Sequence, residues 1–358
     1  MISLYQKYLI YSFLKNLFKI SIFFLSLVII LNLFEEISFF KNSDVDLYIP
    51  IFVTLLNSPS VLFDILPFVF LISTLFFFSE ILDKNELNIY KSFGLTNGKI
   101  IKTITATSFI IGILCVVILY NISSNLKFLY LEIKNEYSQD NKYLAVITAN
   151  GLWIKDEIDQ KISIINASKI SGENLSNVLI TEYDLDFNFK RMIASKSANI
   201  KSYEWNLVDS NITENNITKK VKNLTYKSNF NLEKISNLFS NLSSLNFLQI
   251  KKLKNDYKLL GYSTTNLNVH EHKLYSYPLY LSIMVCISSI LMLNVKHNNS
   301  KALNLILGIF ISVIIYYVNY FFNILVESEE ISYLAAVWGP QLILILIVSI
   351  GLVRINEK

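Results

Sequence analysis

Few side chains in this chain have the types and spacing that do chemistry. Histidines stand at 270, 272 and 297, and the first two flank Glu271 in an H-E-H triplet. Alternate residues point to opposite sides of a strand, or about 200° apart on a helix, so the triplet suits a single metal ion poorly. It reads instead as a solvated segment at a membrane edge. Residues 94–99, GLTNGK, resemble a phosphate loop at first sight. A Walker loop needs four residues between its glycines and a Ser or Thr after its lysine. Here three intervene and Ile100 follows Lys99. The segment reads as a turn leading into an apolar run, and the chain is not expected to hydrolyse nucleotide. No Ser/His/Asp or Cys/His arrangement stands out, so neither a catalytic nor a metal site is expected. Cys115 and Cys286 both fall in apolar runs, where a thiol behaves as a small apolar group, so no disulfide framework is expected.

What remains is polar chemistry set into apolar stretches, where each polar group costs free energy. Asn32, Glu35 and Glu36 close the first stretch, and Asp64 lies near the start of the second. Tyr316, Tyr317, Asn319, Tyr320 and Asn323 mark the fifth. Positions 316, 319/320 and 323 share one helical face, which is expected to turn inward. It would meet either neighbouring helices or a cavity for an amphiphile with a polar head. The segment 80–102, EILDKNELNIYKSFGLTNGKIIK, fits a short helix between two apolar stretches, ended by Gly94. Such a helix is either a docking surface for a cytoplasmic partner or a surface helix touching only lipid headgroups.

These groups need elements to hold them, and the composition says which kind. Of 358 residues, 53% are hydrophobic and 14% aromatic, while 17% are charged. A soluble globular protein carries about 25% charged residues. The net charge of +4 is small and mixed, which argues against nucleic-acid binding. About 20 apolar residues span a bilayer. Six such stretches occur, near Leu17–Phe34, Val61–Ser79, Ile100–Ile122, Tyr275–Val295, Ala302–Val326 and Leu334–Val353. The first reads as a span rather than a cleaved leader, since it is long and no small-x-small site follows. Residues 2–16 before it form either an amphipathic surface helix through Leu4, Tyr8, Tyr11 and Leu14 or an extension of the span. Lys7, Lys15, Lys19, Lys84, Lys91, Lys99, Lys102, Lys296, Lys301, Arg354 and Lys358 gather on one side. Opposite them stands Lys41 with Glu35, Glu36, Asp44, Asp46, Glu327, Glu329 and Glu330. The positive-inside rule then places both termini in the cytoplasm and the polar insert on the far side.

That insert, about 125 to 270, carries 19 basic and 15 acidic side chains and reads as β. Residues 143–154 form two short runs around the turn Ala149-Asn150-Gly151. Strands are expected at 161–165, 178–189, 192–194, 203–208 and 221–226. In 178–189, Tyr183, Leu185, Phe187 and Phe189 alternate with polar residues, as in a strand with one buried face. Many short strands suggest a sandwich or jelly roll. Helical spacing returns at Leu245, Leu248, Leu253, Tyr257 and Leu260. The expected fold is therefore membrane α-helical, three spans plus three, with an inserted periplasmic β-jellyroll-like domain. Its parts are an N-terminal half over 1–124, the β domain over 125–242, a connecting helix over 243–274 and a C-terminal half over 275–358.

Several segments carry a resemblance: KYLIYSFLKN at 7–16, the run from Leu66 to Ile100, NGLWIKD at 150–156, HKLYSYPLYLSIM at 272–284 and AAVWGPQL at 335–342. Together they resemble the LptF/LptG (YjgP/YjgQ) permeases of lipopolysaccharide export, with GLWIKD and the short C-terminus most like LptG. The resemblance implies a non-catalytic permease subunit of an ABC transporter in the bacterial inner membrane. It implies a coupling helix at about 82–93, with Asn85, Glu86, Leu87, Tyr90 and Gly94 meeting a dimer of the ATPase LptB, where ATP and Mg would be used. LptF would complete a lipid cavity, and lipopolysaccharide would pass over the β domains to LptC and LptA. Cavity candidates are Asn32, Glu35, Lys41, Lys127, Lys134, Tyr316, Asn319, Tyr320 and Asn323. One departure stands out: where the family tends to place a lysine at the outer end of the first span, this chain has Asn32, followed by Glu35 and Glu36.

Other classes fit less well. Mechanotransmission-type ABC permeases usually have four spans. A lipid-modifying membrane enzyme would cluster His with Asp or Glu at one face. A secondary transporter would favour inverted repeats and broken helices, which are not evident. A membrane-anchored adaptor for the β domain is a further alternative.

Overall fold

The computed structural model describes residues 3–41, 45–137, 152–158, 161–171, 173–214, 217–232, 235, 241–259, 263–293, 301–328 and 330–356. The expected turn at 149–151, the run before it, and Asp44, Leu260, Lys296, His297, Glu329 and Lys358 lie outside the described residues. In chain order the helices are α1 (Leu4–Phe40), α2 (Tyr48–Asp83), α3 (Glu86–Ser92), α4 (Asn97–Leu114), α5 (Tyr120–Glu136), α6 (Phe247–Leu259), α7 (Thr265–Leu293), α8 (Lys301–Glu327) and α9 (Tyr333–Asn356). A π turn at Cys115–Leu119 joins α4 to α5. Two compact units result: Met1–Lys127 with Thr265–Lys358, and Phe128–Thr264.

In the first unit six helices among the described residues are long and apolar enough to cross a membrane. The described part of each expected span lies on one of them, the third running from α4 through the π turn into α5, and the helices are longer. α1 has 37 residues, about 55 Å at 1.5 Å per residue, well beyond a 30 Å hydrocarbon layer. It is continuous from Leu4, so residues before Leu17 extend the first span helix rather than forming a separate one. The stripe Leu4, Tyr8, Tyr11 and Leu14 is exposed, whereas Leu9 and Phe13 are buried. Phe13 packs edge-on against Phe70 and Phe77 of α2 at ring-centroid distances of 6.4 and 5.9 Å.

α2 and α7 form the centre. The most apolar window of each is 67% and 72% buried, against 33% or less in the other four spans. They are joined by the Tyr277 hydroxyl, which donates to the Phe63 carbonyl at 2.6 Å, and by Ser288 Oγ donating to the Leu71 carbonyl at 2.7 Å. Phe63 and Tyr277 stack at 4.4 Å. α4 reaches α7 through Gly112, where a Cβ would come within 2.6 Å of Pro278 Cα. Small residues and hydroxyl-to-carbonyl bonds replace the hydrophobic drive that water would supply.

The second unit contains strands β1 (Leu152–Ile158), β2 (Lys161–Ser171), β3 (Asn174–Tyr183), β4 (Phe189–Asn199), β5 (Glu204–Glu214) and β6 (Ile217–Lys227). They pair antiparallel in the order β1-β2-β3-β4-β5-β6, a next-neighbour meander. The inserted antiparallel domain agrees with the sequence expectation, and its described strands connect by hairpins without crossovers. One face carries a ladder of Ile154, Ile165, Ile180, Ile193 and Ile212 in register. The two ends of the sheet are tied together: Tyr226 of β6 donates to Ser163 Oγ of β2 at 2.8 Å, and Asp156 of β1 accepts from Ser228 Oγ at 2.7 Å and from Asn229, both just past β6. The sheet therefore curls. Buried Trp205 is anchored by Nε1–H to the Phe230 carbonyl at 2.7 Å.

Two expectations need correction here. Residues 178–189 are not one strand. β3 ends at Tyr183, and the Asp184 carboxylate accepts from the backbone N–H groups of Asp186 and Asn188, closing a turn in which Phe187 has φ 59°. Leu185, Phe187 and Phe189, expected on a buried face, are 51%, 60% and 53% exposed. The segment 243–274 is not one helix either; it comprises a 3₁₀ turn at Leu242–Ser244, then α6, then the start of α7.

Candidate functional site

The first candidate lies at the Lys-rich ends of the spans, around α3. The expected helix from residue 82 begins later, because α2 continues to Asp83 and Asn85 adopts a left-handed conformation, φ 56°, that breaks the chain. At the other end Gly94, φ 74°, lets the Gly94 and Leu95 N–H groups reach back to the carbonyls of Lys91 and Tyr90 at 3.0 Å each. α3 is thus a seven-residue helix held between two left-handed residues. Leu87 turns inward and is buried, and Tyr90 is half-buried. Burial, with the charges of Glu86 and the Tyr8 phenol nearby, pushes the Tyr90 hydroxyl up to about 12.

α1 braces this turn. The Tyr8 hydroxyl donates to Glu86 Oε1 at 2.7 Å. Asn16 Nδ2 donates to Glu80 Oε2 at 3.0 Å, and Lys84 Nζ donates to Glu80 Oε1 at 2.7 Å. The Glu80 contact raises the Lys84 ammonium above its ordinary value. The sequence reading has Tyr8 only as a member of an apolar stripe and assigns Asn16 and Glu80 no role, since no local pattern links α1 to this turn. Ile89 and Phe93 fall in the expected 82–93 helix but are not among its expected contact residues; they are 52% and 81% exposed beside Glu86, an unusual apolar display for a turn between spans.

The second group of candidates is dispersed. On α1, Asn32 is half-buried with Nδ2 lacking a hydrogen-bond partner, while Glu35 and Lys41 are exposed. On α8, Asn319 donates from Nδ2 to the Ile315 carbonyl at 2.9 Å and towards the Tyr280 hydroxyl at 3.4 Å. Asn323 is half-buried, but Tyr316 and Tyr320 are 65% and 53% exposed. The expected inward face is therefore split. The buried face of α8 runs through Asn304, Ser312, Ile315 and Val326, because Gly308 brings that side onto Leu75. Lys127 is half-buried within electrostatic range of Asp64, which also feels Lys273. Lys134 belongs to the second unit, is 3% exposed, and donates to the Tyr130 hydroxyl at 2.9 Å.

The H-E-H triplet lies inside α7 rather than on a solvated edge. His270 bonds the Tyr120 hydroxyl at 2.8 Å, Glu271 accepts from Tyr275 at 2.8 Å, and His272 Nδ1 accepts from Trp338 Nε1 at 3.3 Å. The two histidines thus join α7 to α5 and α9, while Glu271 is held within α7.

A bundle of six span-length helices with a curled antiparallel sheet inserted after the third is one layout, and the family comparison matches it along its length. The model of the lipopolysaccharide export system permease LptF/LptG family matches residues 7–354. The chain belongs to that family. No curated protein matches it. As an LptF/LptG permease it is an integral membrane protein of a transport family that is not catalytic. The match includes α3 and both glycines of the GLTNGK segment.

Proposed function

We propose that this chain is the LptG-type permease subunit of an ABC transporter that extracts lipopolysaccharide from the bacterial inner membrane. Both termini lie in the cytoplasm, and the β unit is periplasmic. α3 is the coupling helix: it docks into an LptB ATPase dimer, with Glu86 the central acidic contact and Ile89 and Phe93 the apolar one. ATP and Mg belong to that partner. LptF completes the lipid cavity, towards which Asn32, Glu35, Lys41, Lys127, Asn319, Asn323, Tyr316 and Tyr320 contribute polar groups. Lys134, already engaged by Tyr130, contributes less. The cargo passes over the apolar face of the β unit to LptC and LptA. Moving acyl chains out of a bilayer costs about 0.8 kcal/mol per CH₂, which is why a chain with no motor of its own needs an ATPase.

The observation that carries this reading is α3 itself. A short helix with fixed ends displays an acid and two large apolar side chains between two spans, and α1 holds it from behind. That is a rigid lever seat. Glu86→Lys is expected to abolish co-purification with the ATPase while membrane insertion stays intact. Undiminished co-purification would refute the coupling role.

A further inference from the structure

Beyond the Gly94 that ends α3, the GLTNGK segment has no part in the function proposed above, yet the whole segment lines a cleft. Gly94, Leu95, Thr96, Asn97, Gly98 and Lys99, with Lys91, Lys102 and Ile355, enclose about 620 Å³. Three elements meet there: the end of α3, the first two turns of α4 and the last turn of α9. Three of the lining residues are lysines and none is acidic. Lys84, nearby in sequence, is paired with Glu80. By contrast, Lys91, Lys99 and Lys102 have no ion-pair partner among the described residues, and all three are exposed.

The cleft also has a polarity gradient. On α4, Ile100, Ile101 and Ile104 follow directly and are 2% exposed or less. On α9, Ile355 is 4% exposed, and the described apolar helix ends at the next residue. Cations therefore crowd the mouth, while Leu95 and Ile355 form an apolar wall where α4 begins and α9 ends. A basic pocket between span ends suits a lipid headgroup: phosphate at the lysines, glycerol and first methylenes along the wall. An acidic protein segment would match the lysines but not the wall.

We infer that this cleft seats the headgroup of an anionic phospholipid of the leaflet that the Lys-rich span ends face. The inference uses the topology proposed above to choose the leaflet but does not depend on the cargo or the ATPase. Occupied, the site ties α3, α4 and α9 together at the base of the coupling turn.

The test is native mass spectrometry of the full-length chain in mild detergent, titrated with dioleoyl phosphatidylglycerol and, in parallel, dioleoyl phosphatidylcholine. One phosphatidylglycerol is expected to bind preferentially. The triple variant Lys91→Gln/Lys99→Gln/Lys102→Gln is expected to bind it on the order of 100-fold more weakly, given what each basic residue contributes at an anionic surface. Lys84→Gln, outside the cleft, should bind as the parent does. Should the triple variant fail to purify as a folded protein, each single variant is expected to lose about fivefold. Equal phosphatidylglycerol affinity in parent and variants overturns the inference. So does complete displacement of the lipid by equimolar inorganic phosphate, which would mark a site for a free anion. Loss of ATPase co-purification with lipid binding unchanged would assign the lysines to a protein partner and overturn it as well. Failure of Glu86→Lys to disturb the ATPase would leave this outcome unaffected, so the two claims fail separately.

Discussion

At the scale of single residues, the chemistry of this permease is positional: side chains hold each other rather than act on a substrate. Tyr8 and Glu86, 78 residues apart, meet at 2.7 Å, and that bond fixes the rotamer of the acid that α3 presents. Removing the donor with Tyr8→Phe is expected to weaken ATPase association about three- to tenfold in a pull-down titration, the range for the net worth of one ordinary hydrogen bond at an exposed site. Glu86→Lys should do far more, because it reverses a charge. A second residue-scale effect belongs to the β3–β4 turn. The Asn188 backbone N–H and side chain, with Lys190, hold the Asp184 carboxyl below its ordinary value. A group depressed on folding stabilises the fold above its unfolded pKa, and that contribution disappears as pH falls through the folded one. Hydrogen exchange of the turn in the full-length chain, corrected for intrinsic rates, should therefore rise as pH drops below the usual carboxylate range. Asp184→Asn should flatten that dependence.

At the scale of elements, the close approach of α4 to α7 is the most exacting contact. A side chain at Gly112 meets backbone at 2.6 Å, which no rotamer change relieves. Gly112→Val is expected to cost about 1–3 kcal/mol, seen as a lower unfolding midpoint in detergent, with the lower end contradicted only by an unchanged midpoint. The spans were legible in the sequence because a run of about 20 apolar residues carries its own evidence. Their ends were not, because the helices continue past the hydrocarbon layer and no composition change marks where they stop. The Tyr183–Phe189 alternation misled because the turn happens to keep period two, and only the Asp184 contacts to Asp186 and Asn188 show the strand breaking. On α8, tyrosines mixed with asparagines resemble a polar face, but Gly308 decides which side packs. Tyr8 opposite Glu86 could not be read at all, since no local pattern links positions so far apart.

At the scale of the whole molecule, the proposed topology puts both chain ends and α3 on the Lys-rich side of the membrane and the β unit on the other. Single cysteines introduced at Lys7 and Lys190, in a background with Cys115 and Cys286 replaced, test this. An impermeant maleimide added to intact cells whose outer membrane has been permeabilised is expected to label position 190 and spare position 7. The cargo claim and the partner claim both require that this chain work as one subunit among several. The most direct measurement is affinity purification of the tagged full-length chain in mild detergent, followed by identification of whatever accompanies it. The expected result is a stoichiometric complex with a cytoplasmic ATPase dimer and a second six-span permease. Recovery of the chain only with copies of itself, at good yield and without an ATPase, would contradict the account.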